Sequence, residues 1–139
     1  MSAVISAIFL ILASSGDDFY VSLEEVASPL RYSVYKIEIF RNSGGAFITL
    51  KDYKSKNLTK KMDYTFYIKT ADRLMNAGIY RLRSASPNTF QNHYYVIEYA
   101  GSRGRNRFYI EKTVIMPGES VNIVRSIKNA ADLVIYDLK

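Results

Sequence analysis

The chain has 139 residues, 48% apolar and 23% charged, which is the length and balance of one folded domain. With no cysteine it carries no disulfide framework, thiol nucleophile or thiolate metal site, and a single histidine excludes a multi-histidine metal centre. The net charge of +6 is unevenly placed: residues 1–30 hold four acids and no Lys or Arg, whereas the remainder holds all 19 basic side chains against nine acids.

That asymmetry reads as an acidic, apolar head docked on a basic body, its own or a neighbour's. The head begins with Met1–Ser15, and its apolar run Ala3–Ala13 is shorter than the roughly 20 residues of a membrane-spanning helix. It matches the apolar part of a signal peptide, with small residues at Ala13-Ser14-Ser15, but has no positive charge in front. We expect an N-terminal arm over residues 1–15, a strand or short helix buried against something. Residues 16–139 then form one domain.

Short strands bounded by turn signals follow. Phe19–Val26 reads as a strand ended by Ser28-Pro29, because proline lacks a donor and restricts its predecessor. Tyr32–Arg41 alternates Tyr35, Ile37 and Ile39 with Lys36 and Glu38, a strand with one wet face. Asn42-Ser43-Gly44-Gly45 is a hairpin turn leading into Ala46–Tyr53. The polar, basic stretch Lys54–Lys61 reads as a loop, and Met62–Thr70 as a strand placing Tyr64, Phe66 and Ile68 on one side. Thr70 is positioned to cap a short helix over Ala71–Ala77 with Gly78 just past its end.

Ile79–Arg83 reads as a short strand. His93–Ala100 and Asn106–Met116 form a second hairpin around the basic loop Gly101–Arg105. Pro117-Gly118 turns the chain into strands over Ser120–Ile127 and Leu133–Leu138. The expected fold is all-β: an antiparallel β-sandwich, jelly-roll or immunoglobulin-like, of about 8–10 strands with at most one short helix.

No catalytic motif emerges. His93 has no nucleophile elbow to serve, and Glu24 and Glu25 point to opposite faces of a strand. Asp17-Asp18 lacks the twelve-residue calcium-loop pattern. No cofactor or metal site is expected. Two basic clusters are candidates for gripping a polyanion: Arg103, Arg105 and Arg107 at alternate positions, and Lys54, Lys56, Lys60 and Lys61 with nearby Lys51. Twelve Tyr and seven Phe suit strand packing and also base stacking.

Two functions fit. The first is a non-enzymatic structural subunit, a virion component or else a surface filament subunit. It self-assembles by adding its arm to a neighbour's sheet edge, through Val4, Ile5, Ile8, Phe9, Leu10 and Leu12. Its partners are copies of itself, with nucleic acid on basic loops, in a virion or at a cell surface. The second is a β-module that binds nucleic acid or an acidic glycan.

Overall fold

Alternating hydrophobicity builds the first half of the molecule. In the computed structural model, which describes residues 18–52, 54, 57–84, 86–113 and 118–132, the chain meanders through four strands. These are β1 (Tyr20–Val26), β2 (Ser33–Asn42), β3 (Gly45–Asp52) and β4 (Asn57–Met62). The turn between β2 and β3 lies where the glycines require it. The Asn42 carboxamide accepts a hydrogen bond from the Gly44 N–H at 2.8 Å, and Gly45 sits at φ +125°. A hairpin of β5 (Tyr94–Gly101) and β6 (Gly104–Glu111) then returns to the free side of β1.

The six strands form one antiparallel sheet in the order β4-β3-β2-β1-β5-β6. Two helices, α1 (Tyr64–Asn76) and α2 (Gly118–Ala131), pack on one face of it. Val21, Leu23, Ile37, Ile39, Ile48, Ile97 and Phe108 from the sheet meet Tyr67, Leu74, Ile123 and Ile127 from the helices in the main core. The Tyr67 hydroxyl accepts from the Phe19 N–H at 2.9 Å and donates to the Phe19 carbonyl at 2.8 Å, while the two rings stack 4.4 Å apart. These contacts lock α1 to the entrance of β1.

The molecule is therefore mostly β, as expected, but it carries two helices rather than at most one short one. The described strands form a single sheet, and helices cover the face where a second sheet was expected. The reason lies in two segments with double periodicity. Over 62–70 the aromatic and β-branched residues favour a strand on propensity, yet Tyr67, Thr70 and Leu74 repeat at helical spacing and are the residues α1 buries. In α2 the buried set Ser120, Ile123, Val124, Ile127, Ala130 and Ala131 is a continuous helical stripe. Burial of that stripe overrides the strand preference of Val and Ile.

Thr70 is inside α1 rather than at its start, and its hydroxyl donates back to the Phe66 carbonyl at 2.9 Å. The expected end of that helix holds. Gly78 adopts φ +81°, its N–H bonds to the Met75 carbonyl, and the Ile79 N–H bonds to the Leu74 carbonyl, so a left-handed glycine closes the last turn. Two smaller readings change. Asn57–Met62 is a strand rather than part of a loop, and residues 79–83 are turns and irregular chain rather than a strand. The arm, with Val4, Ile5, Ile8, Phe9, Leu10 and Leu12, and the strand expected at Leu133–Leu138 lie outside the described residues.

Candidate functional site

Strand register sorts the polar residues onto the two faces of the sheet. On the helix-covered face, Asp52, Tyr35, Glu25 and Tyr95 stand side by side on β3, β2, β1 and β5. Lys128 of α2 lies over this row. Its ammonium is 5.8 Å from the Tyr35 ring and 5.4 Å from the Tyr95 ring, and it donates to the Tyr95 hydroxyl at 3.3 Å. A cavity of about 380 Å³ opens beside it, floored by Tyr35, Ile37 and Leu50 and rimmed by Lys128 and Asp132.

Glu25 is the hub of this end of the molecule. Its carboxylate is buried, 3.2 Å from His93 Nδ1 and 3.5 Å from the Lys112 ammonium. Burial alone pushes the carboxyl up. The bond to His93 and the charge of Lys112 outweigh it and hold Glu25 below its ordinary range. Burial and the nearby Glu25 charge push the Tyr35 hydroxyl well above its usual value, so it stays protonated at neutral pH. The lone histidine thus clamps the start of β5 to β1. No serine joins His93 and Glu25 in a hydrogen-bonded relay among the described residues.

The opposite face carries a different pattern. At its β2–β3–β4 corner, register places Lys61, Phe47 and Phe40 in one row. Thr59, Thr49 and Glu38 form the next row, and Asn57, Lys51 and Lys36 the third. The Phe40 and Phe47 rings stack 6.0 Å apart. Lys36 and Lys51 are directly opposite one another on adjacent strands, an arrangement of like charges that destabilises a sheet. Among the described residues, Lys36, Lys51 and Lys61 enter no ion pair. The one acid of the patch, Glu38, is occupied by the Tyr20 hydroxyl at 2.7 Å and the Thr49 hydroxyl at 3.2 Å.

Of the arginines expected to grip a polyanion, Arg105 and Arg107 share the outer face of β6, opposite Ala100 and Glu98, whereas Arg103 turns away from them. Arg107 pairs with Glu98 at 3.1 Å and donates to the Tyr109 hydroxyl at 3.0 Å. Arg103 sits at the hairpin turn and turns to the Tyr80 ring, 5.1 Å away, while Arg105 lies on the outer side of β6 and has a partner of its own. The lysine cluster divides as well. Lys61 faces outward, its side chain over Gly45, while Lys60 alternates to the other face opposite Ile48. Lys54 is in the β3–β4 connection and Lys56 lies outside the described residues.

Lys36 and the Phe40–Phe47 pair were missed as site residues. Their signal is the alternation of β2 and β3: once Ile37, Ile39 and Ile48 are inward, Lys36, Phe40 and Phe47 must face outward. No described helix is long and apolar enough to cross a membrane. No known protein-family description matches this chain, and no characterised protein resembles it in sequence.

Proposed function

We propose that this chain is a non-enzymatic module that binds single-stranded nucleic acid on the outer face of its sheet, at the β2–β3–β4 corner. The observation that carries this reading is the placing of Lys61 beside the stacked Phe40–Phe47 pair, with the opposed Lys36 and Lys51 two rows along the same strands and none of the three in an ion pair with a described residue. A strand of nucleic acid supplies what that corner lacks. Its phosphates neutralise the lysines, and a base stacks on the half-buried Phe47. Both described helices lie behind the sheet, so neither covers this face.

Fluorescence anisotropy with a labelled oligothymidylate across a salt series tests the reading. Binding should weaken steeply with salt, and the combined Lys36→Gln, Lys51→Gln and Lys61→Gln variant should flatten the log–log slope by about 2. Phe47→Ala should weaken binding by about 1–3 kcal/mol. A salt-independent response, or unchanged binding by the triple variant, would rule the proposal out. Equal competition by heparin with no effect of Phe47→Ala would replace nucleic acid with an acidic glycan.

A second reading, self-assembly of a virion or filament subunit through the N-terminal arm, is favoured by the outer edge of β4. Among the described residues no strand pairs there, and Asn57, Leu58 and Thr59 are exposed. The apolar run Ala3–Ala13 of a second copy is long enough to follow this six-residue strand. Light scattering of the full chain should then show a multimer that a chain lacking residues 1–15 does not form. A monomer in both cases would exclude this assembly.

A further inference from the structure

On the far side of the molecule, α1 and α2 leave a cavity of about 490 Å³ between them. Arg73 and Asn76 of α1 and Asn122, Arg125, Ser126 and Asn129 of α2 line it, with no acidic residue among them. The four α2 residues stand at i, i+3, i+4 and i+7, one continuous stripe of the helix. Neither guanidinium makes a hydrogen bond or ion pair with any described residue.

This composition runs against the stability of the fold. Packed helices ordinarily set opposite charges across a groove, yet here both walls carry arginine. Lys69 adds a like charge one turn before Arg73 on the same ridge. Asparagine is a poor helix former, and α2 places two of them on this stripe without a side-chain hydrogen bond to any described residue. The acids in and next to these helices are directed elsewhere: Glu119 pairs with Arg81 at 3.2 Å, Asp72 lines a different cavity, and Asp132, just past α2, rims the one beside Lys128. Local choices that weaken a fold together, at one concave place, mark a site kept for something other than folding.

We propose that this groove binds a small phosphorylated sugar. Two guanidinium side chains lining one cleft from opposite helices suit the oxygens of a phosphate monoester, which a guanidinium can grip in pairs. Carboxamides and a hydroxyl both donate and accept, as sugar hydroxyls do. The space exceeds what a bare anion fills and falls within the range of small-ligand pockets. No aromatic ring lines it, so it offers a nucleobase nothing to stack on. The inference stands independently of the outer-face reading, because the two surfaces lie on opposite sides of the sheet.

The test is calorimetric titration of the full chain with ribose 5-phosphate and with ribose at millimolar concentration. It is repeated on Arg73→Gln, Arg125→Gln and Asn122→Ala, whose exposed positions leave the core intact and whose folding is checked by circular dichroism. Ribose 5-phosphate should bind and ribose should not. Each arginine variant should bind about tenfold or more weakly. The triple lysine variant of the outer face should bind as the parent does. Failure of ribose 5-phosphate to bind, equal binding of ribose, or full affinity in both arginine variants would each overturn the proposal.

Discussion

The two faces of the sheet handle their cations in opposite ways. On the helix-covered face Arg41, Lys112 and Lys128 are each held by a partner. Arg41 bonds to Asp18 at 2.7 Å and lies 5.0 Å from the Tyr64 ring, Lys112 reaches Glu25, and Lys128 lies over two tyrosines. On the outer face at β2–β4, three lysines share three cross-strand rows with two phenylalanines and enter no ion pair with any described residue, Glu24 of β1 being the one acid that stands opposite any of them. The first arrangement stabilises the fold and uses up its charges in doing so. The second leaves charge and aromatic surface in surplus, which is the condition for binding something else.

That contrast predicts a separation of effects, largest on the inner face. Ile39 is fully buried in the main core between the sheet and the helices. Ile39→Ala should lower stability in urea denaturation by about 2–5 kcal/mol, through lost burial and the cavity left behind. The folded fraction of this variant should bind oligothymidylate with unchanged affinity. A change in that affinity would show that the two faces are coupled through the sheet.

The next largest effect belongs to Glu25. Glu25→Gln keeps the shape but removes the charge that His93 and Lys112 share, so a loss of about 2 kcal/mol at neutral pH is expected. The pH dependence sharpens the assignment. A carboxyl held below its ordinary range in the folded protein binds fewer protons there than in the unfolded chain. Its contribution is therefore complete above the unfolded value and disappears as pH falls through the folded one. The stability gap between parent and Glu25→Gln should be widest near neutrality and close below about pH 4. Glu111 is also held low, by the N–H groups of Asn92 and Gln91, so acid sensitivity of the parent alone would not isolate Glu25. A gap that persists at acid pH would mean that Glu25 acts through packing rather than charge.

How much of this was legible from sequence follows from which interactions are local. The β2–β3 hairpin was readable because alternation and the Asn42–Gly45 turn act over a few residues. The Gly78 helix end was readable for the same reason. The helical stripe of α2 was equally present in the sequence, but Val and Ile carry a strand preference that only tertiary burial overturns. The outer-face site was half legible. Lys61 was singled out as one of a basic run, yet strand alternation puts Lys60 on the opposite face, and its neighbour Phe47 comes through cross-strand register. Of the arginines of the second hairpin, Arg105 and Arg107 are placed on one face by alternation along β6, while Arg103 is drawn to Tyr80, a contact spanning 23 residues that no local pattern announces.

The smallest predicted effect tests the contrast most directly. Lys51 has Lys36 on one neighbouring strand and Asn57 on the other, whereas Lys36 has Glu24 on its far side. Removing the Lys51 charge leaves Lys36 facing only its acidic neighbour. Lys51→Gln should thus raise stability by about 0.2–1 kcal/mol at low ionic strength. The gain should shrink as salt is added, because both ammoniums reach solvent and are screened. The same substitution should weaken oligothymidylate binding, so one residue would show stability and affinity moving in opposite directions. If Lys51→Gln instead destabilises the protein, the lysine is held by the fold, and the distinction between an occupied inner face and a surplus outer one fails at its centre.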